Sequence, residues 1–501
     1  MSAHRRPTTS VTAALAAAVL AVTTACSGAV AAPDAAPTAA PGDVRGGGRT
    51  GPLASLVSGT VGAAGIGDPS FPGDGNGGYD VRHYLLRLSF DPTTKRLAGS
   101  ATIRAKALHD LTSFNLDLRG LTVSRVTVDG AVAGFGRRDD ELTVRPAGRI
   151  SKGDRFEVLV DYSGLPEPIR DYVNLGTYGF VPTADGSFVT SEPNGAKTWF
   201  PSNDHPADKA TYDFEITVPA GLTAIANGEL DGEPKTADGK TTFVWREKHP
   251  MASYLATMTT GRFEVRTGKT AKGVPIYTAV APVFRNSLDS LYAETAKITD
   301  YWSTVFGPYP FSSTGGVIDD YSSGYALENQ TKPIYGGFSP QSGIIAHELA
   351  HQWFGDSVSI TRWKDLWLNE GFASYAEWLW AEHRGEDTAD TLFQRHYANT
   401  ADPMWSYPPG AARATDLFNT SVYVRGAMTL HALRKEIGDA VFFPLLKKWT
   451  AEHRYGNATT EQFIALAEQM SGKKLTSLFD AWLFAPDRPA LPGVTPRPSP
   501  R

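Results

Sequence analysis

Cysteine is almost missing from this chain: Cys26 is the only one in 501 residues, so no intramolecular disulfide can brace the folded part. A dominant charge sign is missing too. Lys and Arg total 48 against 53 Asp and Glu, a formal charge of −5 with no basic run, which excludes nucleic acid and an anionic membrane surface as charge-driven partners. Long apolar runs are absent; the longest, residues 11–22, is too short to span a bilayer comfortably. Histidine is scarce as well, 11 in all, so two of them four positions apart on an apolar helix carry information. What the chain does have is 41% apolar and 11% aromatic residues, enough for large cores and more than one domain.

The ends differ in composition from the middle. Arg5 and Arg6 precede the apolar run at 11–22, and Cys26 follows it directly in Val22-Thr23-Thr24-Ala25-Cys26. Residues 1–32 therefore read as an export signal. Either Cys26 is lipidated, as in a bacterial lipobox, or cleavage follows Ala29-Val30-Ala31 and the protein is freely secreted. Both outcomes place it outside the cytoplasm of a bacterium, with membrane contact only through an anchor at Cys26. Residues 33–77, rich in Ala, Gly and Pro, read as a flexible tether, and the Pro-rich stretch 486–501 as a disordered tail.

Between these ends the hydrophobic period changes once. Residues 78–272 alternate as strands do, for example in Phe156-Glu157-Val158-Leu159-Val160 and Tyr212-Asp213-Phe214-Glu215-Ile216, with turn signals at Asp129-Gly130, Asn227-Gly228 and Asp238-Gly239. This is an antiparallel β domain. Residues 273–485 turn mostly helical, with helices expected near 288–306, 364–383, 424–437, 440–453, 460–471 and 476–484. The fold class is α+β, with the site at or near the interface of the two halves.

The chemistry is concentrated at His347-Glu348-Leu349-Ala350-His351, followed after 18 residues by Glu370. Histidines four apart share one helical face, so both rings can reach one ion. Two imidazoles and a carboxylate are a zinc ligand set, and three protein ligands leave a fourth position open for water. Glu348 lies about 100° round the same helix, where a base can touch that water without ligating the metal. Ser339-Pro340 supplies a helix start and Gly355 a stop.

These residues resemble the M1 aminopeptidases, the gluzincin group that includes aminopeptidase N and leukotriene A4 hydrolase. The resemblance spans residues 79–484 and includes Trp367-Leu368-Asn369-Glu370-Gly371-Phe372-Ala373. It implies a saddle-like β domain ahead of a thermolysin-like, mostly helical zinc domain, one Zn²⁺ on His347, His351 and Glu370, and Glu348 as general base and acid. Tyr325-Ala326-Leu327-Glu328-Asn329 is similar to the family's exopeptidase motif, with Tyr325 for its Gly and Leu327 for its Met. It implies that Glu328, with Asn329 beside it, binds the substrate's free ammonium. Ser191-Glu192-Pro193-Asn194, ahead of Asp204-His205-Pro206, implies the same role for Glu192. Tyr423-Val424-Arg425-Gly426 is similar to the family's Tyr-x-Lys/Arg-Gly, which makes Tyr423 the oxyanion donor. Larger members continue into a helical C-terminal domain, so a short, open-cleft monomer acting on peptides with a free N-terminus is expected. Two rivals stand beside this reading. A zinc endopeptidase would have no use for Glu192 and Glu328, and a non-catalytic binding protein would have no need of Glu348 or Tyr423.

Overall fold

The computed structural model describes residues 60–171 and 175–491. The export signal at 1–32 with Cys26, the first part of the tether and the end of the Pro-rich tail lie outside the described residues.

Alternation does build the first half. In Lys209–Pro219 the apolar residues Ala210, Tyr212, Phe214, Ile216 and Val218 all face inward, as a period of two requires. That strand lies within a nine-stranded sheet in which Tyr79–Asp91, Arg96–Ala107 and Arg155–Gly164 pair antiparallel in turn. The sheet is not wholly antiparallel, however. Lys209–Pro219 runs parallel to Tyr79–Asp91, with Thr211 opposite His83 and Thr217 opposite Ser89. A four-stranded and a five-stranded sheet complete the half, the latter carrying Ser187–Thr190 towards the site.

The second half opens with a further five-stranded sheet. Its hairpin Glu264–Lys269 and Pro275–Val280 straddles the boundary expected at 273, so that boundary cuts through paired strands. Strands Pro275–Val280, Thr314–Asp319 and Ile334–Gly336 run parallel, and the short edge strand Ala326–Leu327 leads straight into Glu328. Helix α1 (Leu288–Val305) packs on this sheet, and α2 (Ser342–Ala350), α3 (Trp367–His383), α4 (Ala389–Ala398), α5 (Gly426–Ile437), α6 (Asp439–Glu452) and α7 (Thr460–Ser471) pack on that helix and on one another in turn. Helix α4 was not expected from the sequence, although Thr388 caps it by accepting from the Thr391 amide. Among the described residues no helix is long and apolar enough to cross a membrane.

Residues 60–77 correct the tether. Thr60–Val61 adds a strand beside Leu111–Asp117, and Asp68, Asp74 and Asn76 are buried. The Trp363 amide donates to Asp68 Oδ2 at 2.8 Å, and His205 Nε2 lies 3.1 Å from the same oxygen. Buried carboxylates with such partners are structural, and a Gly-rich composition hid them. Residues 60–171 and 175–491 form one packed unit.

Candidate active site

Helix α2 begins at Ser342, three residues after the expected cap. The Ser339 hydroxyl instead lies 2.7 Å from that of Ser287, while Ser342 donates to Glu294 and accepts from Trp380 Nε1, tying α2 to α1 and α3. From this anchored helix and its last turn His347 and His351 face Glu370, near the start of α3. The Glu370 Oε2 atom lies 3.3 Å from His347 Nε2 and 3.4 Å from His351 Nε2. One ligand atom from each of the three side chains lies within 4.8 Å of the others, at a site where His351 and Glu370 are buried.

The far nitrogens decide the tautomers. His347 Nδ1 is 2.7 Å from Glu377 Oε1, and His351 Nδ1 is 3.0 Å from the Phe354 carbonyl oxygen. A carbonyl or carboxylate there accepts the Nδ1 proton, so each Nε2 is the nitrogen turned towards Glu370 and the one whose lone pair a metal would take on displacing its proton. Burial works against charge on all three groups, yet their mutual attraction wins. Glu370 is pulled down to about 2 by His351 and His347, and His351 is pushed up to about 9 by Glu328 and Glu370. Two nitrogens and one carboxylate oxygen, dry and converging, fit zinc.

Glu348 lines the same cavity of about 170 Å³, and burial pushes its carboxyl up to about 8 against the pull of both imidazoles. Glu192 and Glu328 form another part of the wall. They are 4% and 2% exposed, each has one oxygen with no hydrogen-bond partner among the described residues, and both lie close to Glu370. Burial raises both above the usual carboxylate range, helped for Glu192 by Glu328 and for Glu328 by Glu370.

The Glu192 loop is held from behind by the supposed tether. Lys197 Nζ donates to Asp74 Oδ1 at 2.6 Å, and the Asn194 amide donates to Asp74 Oδ2. Tyr325, where the family has Gly, places its hydroxyl 2.7 Å from Thr190 Oγ1 and so joins the strands that carry the two acids. Asn329 departs from its expected role. It is fully buried, does not line the cavity, and spends its amide on the Leu255 carbonyl at 2.9 Å.

Tyr423 lines the cavity from a π-helical turn, Ser421–Arg425, with its ring nearly parallel to that of His347 at 6.3 Å. Burial and the surrounding carboxylates raise its pKa well above 10, so the phenol stays protonated. Two features of the fold place it. The Arg425 guanidinium donates to the carbonyls of Trp405 at 2.9 Å, Trp482 at 2.9 Å and Ala481 at 3.0 Å. Gly426 meets Gly371, where a Cβ on either would come within 2.9 Å of the other's Cα, so the segments bearing Tyr423 and Glu370 cross backbone to backbone.

A base beside a two-histidine, one-carboxylate centre at the junction of a β half and a helical half defines a zinc metallopeptidase. Residues 80–255 match the peptidase M1 N-terminal domain and residues 339–482 the peptidase family M1 domain. An M1 zinc metallopeptidase from Deinococcus radiodurans is 31% identical with a TM-score of 0.80, over 86% of this chain and 100% of that one. A form of the D. radiodurans M1 zinc metallopeptidase bound to a Tyr-Ser-Ala substrate gives 30% and 0.78, over 85% and 99%. Aminopeptidase N of Lactococcus lactis subsp. lactis is 26% identical over 447 residues, 82% of this chain and 51% of that protein. Aminopeptidase M1-B of Oryza sativa subsp. japonica is 28% identical over 445 residues, 80% and 49% respectively. The chain belongs to the M1 peptidase family, and it spans about half the length of the curated relatives it matches.

Proposed function

We propose that the protein is an extracytoplasmic aminopeptidase that removes residues one at a time from peptides with a free N-terminus. The observation that carries this is the pair Glu192 and Glu328, buried with unpartnered oxygens beside the metal ligands. Buried carboxylates without compensation are costly, and a substrate ammonium supplies the missing charge and donors. The α-amine of a substrate held there puts the first peptide bond, and no other, at the metal ligands. The Tyr-Ser-Ala tripeptide bound by the D. radiodurans neighbour is a substrate of this kind.

His347, His351 and Glu370 would hold a zinc ion, which when bound would supply Lewis acidity to the scissile carbonyl and lower the pKa of water. Glu348 accepts the proton of the attacking water and delivers it to the departing amine. Tyr423 donates its hydroxyl to the carbonyl oxygen as negative charge develops there. Export, and an anchor at Cys26, rest on the sequence of residues 1–32; release of the protein from cell membranes by Cys26→Ala would support the anchored form.

The test is turnover of aminoacyl anilides beside their N-acetylated counterparts, with wild type and Glu328→Ala. Chelator-sensitive cleavage confined to free amines, and weakened by Glu328→Ala, is expected. Equal or faster cleavage of blocked substrates would establish an endopeptidase instead. No turnover of either by zinc-loaded protein would establish a binding role.

A further inference from the structure

The residue after the second zinc histidine is Gln352, and none of it is exposed. Both ends of its amide are used on one loop. Nε2 donates to the Glu328 carbonyl at 3.1 Å, and Oε1 accepts from the Thr331 amide at 2.8 Å. The Glu328 side chain lines the cavity while its backbone carbonyl is pinned by the helix turn that presents His351. Thr331 is held at φ +67, a left-handed conformation that a β-branched residue adopts only when its surroundings fix it. On the other side the same loop is tied to the β half, where the Asn227 amide donates to the Gln330 carbonyl at 2.8 Å and the Gly228 amide to Thr331 Oγ1 at 2.7 Å.

We infer that Gln352 sets the spacing between the metal ligands and the ammonium site, as a positioning residue that acts through Glu328. The inference rests on the ammonium-binding reading of Glu328. A substrate bridging the two subsites must match one distance, and a shift of about 1 Å in such a distance costs about a hundredfold in rate. Removing the amide leaves the Glu328 carbonyl and the Thr331 N–H buried without their partner, and the loop then moves to find others.

The experiment compares wild type, Gln352→Met, Glu328→Gln and the double variant, all zinc-loaded, on one aminoacyl anilide and its N-acetylated form. Gln352→Met should lower kcat/KM on the free amine by about 10- to 100-fold, through a higher KM and a lower kcat, with one zinc retained and the blocked substrate still uncleaved. In the Glu328→Gln background the same change should cost less than about threefold, because the carboxylate that Gln352 positions has gone. Gln352→Glu keeps the acceptor for Thr331 but sets a buried carboxylate oxygen against the Glu328 carbonyl, so its loss should be at least as large. It carries the same double-variant comparison if Gln352→Met does not fold. Full additivity with Glu328→Gln, loss of the zinc, or no loss of activity would overturn the role of Gln352. If Glu328→Gln alone leaves the preference for free amines intact, the ammonium reading itself falls.

Discussion

In the proposed mechanism Glu348 takes a proton from water and gives it back to an amine, which needs a pKa above that of an ordinary glutamate, and burial raises its carboxyl to about 8. Its neighbour Glu370 has the opposite bias, pulled down to about 2 by the imidazoles it faces. Two acids in one cavity are thus biased apart, one towards holding a proton and the other towards staying ionised. Glu348→Gln keeps size and polarity but cannot accept the proton. It should lower kcat by about 10²–10⁴-fold with zinc content unchanged, as read from anilide kinetics beside metal analysis. A loss of zinc in step with activity would make Glu348 a ligand instead. Helical spacing in the sequence sets Glu348 apart from His347 beside it, whereas Glu370 was picked out by its distance from His351 and lies on another helix. The role of Asn329 was not legible, since nothing in a sequence tells an amide aimed at a substrate from one aimed at the Leu255 carbonyl. Gln352 left no signal for the same reason, its contacts with Glu328 and Thr331 being to backbone atoms.

Helix α3 shows what one element contributes. Glu370 and Glu377 are seven residues apart, two turns along one face, so the same helix supplies a metal ligand and the acceptor that orients His347. That spacing was open to a reading of the sequence, but many helices carry acids seven apart, and only the fold places His347 opposite. Glu377→Ala should weaken zinc binding by about 10–100-fold, measured by competition with a chromogenic chelator, while thermal stability of the loaded protein changes little. Unchanged affinity would mean that the packing of α2 alone fixes the ring. The close approach of Gly371 and Gly426 was likewise hidden. Each glycine lies in a motif, but that they touch is a fact of helix crossing. Helical periodicity found α1, α3, α5, α6 and α7 within a residue or a few, whereas the π-helical turn under Tyr423 gives no periodic signal of its own. Residues 60–77 read as a tether because their order comes from a few buried carboxylates rather than from apolar periodicity.

At the scale of the whole molecule the site is a property of the join between its halves, and the loop from Glu328 to Lys332 is part of that join. Lys332 ends it with a fully buried ammonium that donates to the Gly228 carbonyl at 2.7 Å, over the rings of Trp245 and Tyr277 at 5.4 and 5.8 Å. Burial lowers its pKa to about 8, against the opposing pull of Glu247 and Glu229. In the unfolded chain the same amine titrates near 10.4. Between those values the unfolded state holds the extra proton, so this group adds stability as pH rises from about 8 to about 10.4. Below pH 8 both states are protonated and the whole penalty is present, roughly 3 kcal/mol. Lys332→Met removes that penalty without stranding the carbonyl, which also accepts from Ser313 Oγ at 3.1 Å. Any advantage in Tm that Lys332→Met has over wild type should therefore be greatest at pH 7 and shrink steadily towards pH 10. Thermal unfolding of both proteins at pH 7, 8.5 and 10 measures this. A difference that stays constant across the range would mean that the rings and acids around Lys332 hold its proton as firmly as water does.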